Sequence, residues 1–220
     1  MTARYTLGLA SKNFSSWSLR PWLAMKMANL PFDEVVVQMY QPDTAKKIAP
    51  LSPSGKLPVL IIKERGQTYK VWDSLAICET LAERHPEARL WPKSAAQRAQ
   101  ARSIAAEMHA GFPDLRKLMP MDMSHRKPKP EGDETLDKQI ARVIALWTST
   151  LKQSGGPFLF GSFSIADALY APVVTRFETY GVKLPAAARA YAKHISALKP
   201  MLEWREAAQA EVDAVKKEKP

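Results

Sequence analysis

The chain's 220 residues are 46% hydrophobic and 25% charged, a balance that supports one sizeable core or two smaller ones. No apolar run approaches the ~18 residues that suggest a membrane span, and the single cysteine, Cys78, excludes an intrachain disulfide or a paired-thiol redox motif. The net charge of +10 raises the expectation of acidic partners; its densest part, Val215-Lys216-Lys217-Glu218-Lys219-Pro220, reads as a solvated helix end.

A first strand is expected over Tyr5–Leu9. The start of the chain leads through it to Lys12 with no signal-like apolar core, so a cytoplasmic location is expected. A helix follows over Leu19–Ala28, ended by Asn29-Leu30-Pro31. Val35–Met39 reads as a second strand and Thr44–Ile48 as a short helix. Val59–Ile62 and Thr68–Val71 form a hairpin about Glu64-Arg65-Gly66, and Ser74–Arg84 is a closing helix. This order predicts a mixed four-stranded sheet with helices on its faces. Prolines mark a linker near residues 86–93, with Leu90 and Trp91 expected to pin it. Beyond it, Ile104, Met108, Phe112 and Leu115 recur at helical spacing, as do Leu136, Ile140, Val143, Ile144, Trp147 and Leu151. Lys127–Asp133 is a loop, Gly155-Gly156-Pro157 stops the second long helix, and Ser164 with Asp167 predicts a capping box. The expected domains are 1–85 and 94–220.

Three short segments concentrate polar chemistry at element ends. Phe14-Ser15-Ser16-Trp17-Ser18-Leu19-Arg20-Pro21-Trp22 sets hydroxyls where a helix begins. Unpaired N–H groups and the helix dipole there favour an anion such as a thiolate. Ser54-Gly55-Lys56-Leu57-Pro58 leads into an apolar strand; a cis bond before Pro58 would present the Leu57 N–H and C=O to a peptide-like ligand. Val71-Trp72-Asp73-Ser74 puts an acid and a hydroxyl at the next helix start, where Ser74 can cap the helix and donate to a carboxylate. Cys78, one turn further on, reads as a buried small hydrophobe. The four scattered histidines show no metal-ligand spacing, and no glycine-rich phosphate loop is present, so neither a metal nor a nucleotide is expected.

In order and spacing these segments resemble the cytosolic glutathione transferase family. The resemblance implies a thioredoxin-like α/β N-terminal domain followed by an all-α helical C-terminal domain. It covers residues 4–86 and extends more loosely, through Phe163-Ser164-Ile165-Ala166-Asp167, over the helical half. It implies glutathione as co-substrate, a small-molecule electrophile as partner and a homodimer. Ser15-Ser16-Trp17-Ser18-Leu19-Arg20 is similar to the Ser-Ser-Cys-Ser-X-Arg of zeta-like, maleylacetoacetate-isomerase-type members, with Trp17 in place of cysteine. That match implies Ser15 as the hydroxyl that activates the thiol and Ser16 as its helper; Ser16 as the donor itself, and plain helix capping by both serines, are the alternatives. The family pattern further implies that Leu57, ahead of Pro58, pairs through its backbone with the cysteinyl unit. Asp73 and Ser74 would hold the γ-glutamyl end, Lys47 and Lys56 would meet the glycine carboxylate, and Met108, His109, Phe112, Arg116 and Arg176 would face the electrophile. Arg20 is expected in a structural ion pair.

Lowering a thiol pKa from near 8.5 by about two units takes roughly 2.7 kcal/mol of preference for the thiolate. A hydroxyl donor and a helix N-terminus supply that order of energy. Three readings stay open: a conjugating glutathione transferase; a maleylacetoacetate isomerase, whose diketo-acid needs a cationic pocket to which Arg176 is the candidate contributor; and a non-catalytic transferase-like binding module, motivated by the positive charge although no nucleic-acid motif is present.

Overall fold

The computed structural model describes residues 3–217, so the basic tail expected at 215–220 lies in large part outside the described residues. The first strand, β1 (Arg4–Ala10), pairs in parallel with β2 (Asp33–Val37). A parallel pair needs a crossover, and helix α1 (Ser16–Met27) supplies it. After the short helix α2 (Thr44–Ile48), β3 (Val59–Glu64) runs antiparallel to β1 and β4 (Gln67–Trp72) antiparallel to β3, giving the order β2-β1-β3-β4. Arg65 and Gly66, at φ +49° and +78°, make the two-residue turn of the hairpin. Helix α3 (Ser74–Arg84) closes this half.

Two boundaries differ from expectation for local reasons. α1 starts three residues early because Ser15 is its N-cap, accepting the Ser18 N–H at 3.2 Å. β2 stops at Val37 because the chain turns away there: the Met39 N–H donates to Ser11 Oγ at 2.8 Å. Gly8 faces Val59 in the β1–β3 ladder. A Cβ at Gly8 would fall 2.8 Å from Val59 Cγ1 and 3.3 Å from Leu57 Cδ2, so only glycine lets the Leu57–Pro58 segment lie against β1. The Leu57–Pro58 bond is cis.

Leu90 and Trp91 are buried, and the segment is held from both halves: Trp91 Nε1 donates to Glu79 and Leu90 C=O accepts from the Ile165 N–H. The second half comprises α4 (Ala95–Ala110), α5 (Pro113–Leu118), α6 (Glu134–Ser154), α7 (Ile165–Thr179), α8 (Ala186–Ser196) and α9 (Lys199–Lys217). The periodicity from Ile104 to Leu115 spans two helices, because Phe112 at φ +57° breaks the chain between α4 and α5. α7 is buried on nearly every face, as expected of a central helix. Asp167 in its first turn accepts from the Ser164 N–H and O–H, the Leu159 N–H and the Tyr191 O–H at 2.9–3.2 Å, which fixes the start of that helix. α1 packs against the sheet, α3, α7 and α9 and is itself buried nearly all round. On its α9 side, Lys12 Nζ lies between the rings of Trp22 and Trp204 and pairs with Glu34 at 2.6 Å.

Candidate active site at the start of the first helix

The three hydroxyls at the α1 N-terminus occupy different environments. Ser15 is half-buried; its Oγ accepts the Ser18 N–H and donates to Ser18 Oγ at 2.8 Å. Ser18 is fully buried and also accepts the Ala10 N–H at 3.0 Å. A hydroxyl has one proton and two acceptor sites, so Ser18, having accepted twice, keeps its own proton to donate. Ser16 points the other way and accepts from Arg176 Nη2 at 3.0 Å, tying α1 to α7. The preceding loop is fixed across the two halves by Asn13. Its Oδ1 accepts the Met123 and Ser124 N–H groups, and its amide donates to the Asp122 carboxylate.

A cavity of about 360 Å³ is lined by Trp17, Ser54, Lys56, Leu57, Pro58, Trp72, Asp73 and Ser74; Trp17 is its one residue from α1, and Ser15 and Ser16 do not line it. No backbone hydrogen bond to the Leu57 N–H or C=O is found among the described residues. The roles at α3 differ from expectation. Asp73 is the N-cap, at φ +75°, with Oδ1 accepting the Leu75 and Ala76 N–H groups. Ser74 is the first helical residue, and its buried hydroxyl has no hydrogen-bond partner. The second Asp73 oxygen lies 3.3 Å from His109 Nε2 on α4. Burial lowers the His109 pKa below its ordinary value, with Asp73 acting against it and Arg20 and Arg116 adding to it. Lys47 does not line the cavity; it is an exposed residue paired with Asp43 one turn before it.

The residues expected to face the electrophile line neither this cavity nor the next one described. Met108 and Phe112 are buried core residues. Arg176 is buried and donates to the Met119 and Pro172 carbonyls as well as to Ser16. Arg116 donates to the Met108 and Gly111 carbonyls. The single helix expected to carry the first four of these residues is two, with Met108 and His109 on α4, Arg116 on α5 and Phe112 at the break between them; the Trp17 indole meets His109 edge-on at 5.3 Å and lies 5.6 Å from the Arg116 guanidinium. Trp17 is thus a wall shared by the cavity and the helical half. Among the described residues Arg20 has no ion-pair partner within salt-bridge distance, in place of the expected pair. Its guanidinium stacks 4.2 Å from the Trp17 ring centroid, and burial, then the charges of Arg176 and Arg116, lower its pKa to about 9. Burial and Arg116 likewise lower Arg176 to about 10. Burial pushes the Cys78 thiol up to about 12, so it stays protonated and inert.

Sequence reasoning missed a second cavity of about 260 Å³. It is lined by Asn13 and Phe14, the two residues before Ser15, with Met39, Tyr40, Val212 and Val215. Phe14 and Tyr40 are exposed and meet edge-on at 6.3 Å. Their exposure could not be read from a single sequence, because α9 reaches this place from the far end of the chain. Ser18 was the more legible omission, three residues after the N-cap and on the same face. Among the described residues no group of three or more His, Cys, Asp or Glu side chains could hold a metal ion, and no helix is long and apolar enough to cross a membrane.

The chain matches the family model for the glutathione S-transferase N-terminal domain over residues 14–84 and that for the C-terminal domain over residues 95–210. It is 27% identical over 170 residues to a probable maleylacetoacetate isomerase of Caenorhabditis elegans, covering 77% of each chain. Among solved structures it resembles maleylacetoacetate isomerase from Anaeromyxobacter dehalogenans with glutathione bound in the active site, at TM-score 0.69 and 25% identity over 92% of this chain and 95% of that one. It shares its fold with glutathione transferase Omega 2S from Trametes versicolor, at TM-score 0.72 and 21% identity over 98% and 97% of the two chains.

Proposed function

Because the chain belongs to the glutathione S-transferase family of glutathione-dependent enzymes, we propose that it activates the glutathione thiol at the start of α1 for attack on a small electrophile. The observation that carries this reading is a juxtaposition. Trp17, two residues after the N-cap Ser15, lines one cavity with Leu57, Pro58, Asp73 and Ser74. Leu57 offers backbone groups to the cysteinyl unit. The Ser74 hydroxyl, buried without a partner, accommodates the γ-glutamyl carboxylate, and the Asp73 oxygen beside His109 also meets the neighbouring ammonium. Lys56 lines the cavity and takes the glycine carboxylate; Lys47, paired with Asp43, is the weaker candidate.

With the thiol in place, Ser15 turns its proton from Ser18 toward the sulfur. The Ser18 O–H then donates to Ser15 Oγ while Ser18 still accepts the Ala10 N–H. The thiol proton leaves to solvent, the thiolate that remains gains a charge-assisted hydrogen bond, and no hydroxyl is left unpaired. Ser16, engaged by Arg176, supports the helix start. The Phe14–Tyr40 cavity supplies apolar room for the electrophile on the far side of Ser15, with His109 and Arg116 bordering Trp17 on the other.

Calorimetric titration with glutathione tests this reading: saturable heat supports it, and no heat refutes it. A second reading, glutathione-dependent cis–trans isomerisation, is favoured by the likeness to proteins named as maleylacetoacetate isomerases. Turnover of maleylacetoacetate with glutathione separates it from conjugation. The same reading places the chain in the cytosol as a homodimer with domains at 1–85 and 94–220. The open face of α3 and α4, where Glu79 and Glu83 adjoin Arg98 and Arg102, offers mixed charge suited to a second copy; light scattering tests the dimer.

A further inference from the structure

The first helix holds a charge that nothing in the fold neutralises. Arg20 is 0% exposed, and none of its three guanidinium nitrogens has a hydrogen-bond partner among the described residues. A guanidinium carries five N–H donors, and burying them unpaired is among the costliest arrangements a fold can hold. The other two arginines of the cluster differ. Arg116 donates to two backbone carbonyls, and Arg176 to two carbonyls and Ser16. The one acid close to Arg20, Asp73, spends its oxygens on the α3 N-terminus and on His109.

A second unpaired group lies on the helix facing it. The Ser74 hydroxyl has no partner, and α1 packs directly on α3. Asp73, the N-cap immediately before Ser74, is the acid at this end of α3 whose charge acts on Arg20. Arg20 does not itself line the cavity; the Trp17 ring, which does, stacks on the guanidinium, and Ser74 lines the same cavity. Donors without acceptors, one of them cationic, call for a carboxylate.

We infer that Arg20 is the counter-ion of the γ-glutamyl carboxylate held at Ser74, reached when Trp17 shifts off the guanidinium. This rests on the glutathione reading above and adds a residue to it. Arg20 is a binding group for the tripeptide and takes no part in the sulfur chemistry. In the ligand-free protein its charge is a liability that binding relieves.

Calorimetry with two ligands and three proteins tests this. The ligands are glutathione and γ-aminobutyryl-cysteinylglycine, which lacks only the carboxylate in question; the proteins are the unmodified chain, Arg20→Met and Arg20→Lys. Loss of the carboxylate is expected to weaken binding to the unmodified chain on the order of tenfold and binding to Arg20→Met by less than about threefold. Arg20→Lys, which keeps the charge, is expected to fall between them. Equal losses in all three proteins would overturn the assignment while leaving the glutathione reading intact; no binding of glutathione to the unmodified chain would overturn both. Thermal melting of the ligand-free proteins gives an independent readout. Arg20→Met is expected to melt at or above the temperature of the unmodified chain, since it removes an unpaired buried charge. A melting point lower by many degrees would mean that Arg20 is satisfied within the fold, and would equally overturn the inference.

Discussion

The Ser15 hydroxyl donates to Ser18 Oγ across 2.8 Å, and Ser18 Oγ also accepts the Ala10 N–H. The two serines therefore form one unit anchored on the end of β1. Removing Ser15 deletes both the N-cap, worth about 0.5–2 kcal/mol, and the donor to the thiolate. Removing Ser18 strands a buried N–H, at a cost of about 1–3 kcal/mol. Ser15→Ala is expected to abolish most turnover with a modest loss of stability, and Ser18→Ala to cost more stability and less turnover. Parallel measurements of kcat/KM and urea midpoint check the contrast.

Lys56 borders the cavity, whereas Lys47 pairs with Asp43 in solvent. An exposed ion pair is worth about 0.2–1 kcal/mol, so Lys56→Ala is expected to weaken glutathione binding by about two- to fivefold. Lys47→Ala is expected to leave it unchanged. Titration calorimetry on the two variants decides between the lysines.

Trp204 joins α9 to the loop that carries Ser15. Its Nε1 donates to the Lys12 carbonyl at 2.9 Å, and its ring packs on Trp22 and covers the Lys12 ammonium. Trp204→Ala is expected to destabilise the protein by about 3–5 kcal/mol and to raise KM, because the loop leading to Ser15 loses its anchor. Trp204→Phe keeps the packing and is expected to lose less. Denaturant unfolding and steady-state kinetics report the two effects.

Asp122 sets the acid limb of stability. Burial pushes its pKa up, but hydrogen bonds from Lys127, His125, Ser124 and Asn13 outweigh burial and hold it below the ordinary 3.8. A carboxyl lowered by folding contributes stability that is complete above its unfolded pKa and is lost as the pH falls through the folded value. Asp122→Asn is therefore expected to lower stability at neutral pH and to flatten the decline below about pH 4. Melting temperature against pH for both proteins checks the sign.

The fold was legible because its signals are local. β-branched runs, the Arg65-Gly66 turn and the spacing from Leu136 to Leu151 each act within one element. Part of the site was legible for the same reason: Ser15, Leu57 and Ser74 sit at element ends whose chemistry is written in neighbouring residues. What escaped depends on contacts between distant segments. His109 and Arg116 belong to two helices separated at Phe112, and only the packed chain shows Trp17 lying against both. Arg20 lies in the first helix, where a structural ion pair is the ordinary expectation, and no pattern announces that a partner is missing. Val212 and Val215 reach the β1–α1 loop from the last helix, beyond any sequence window.

The central claim is that the start of α1 ionises a bound glutathione thiol, and titrating the ultraviolet thiolate absorbance of the complex against pH tests it most directly. The account expects a midpoint about one to two units below that of free glutathione, of the order one charge-assisted hydrogen bond and a helix N-terminus provide, with much of that shift lost in Ser15→Ala. A bound thiol titrating where the free tripeptide does, in both proteins, would contradict it.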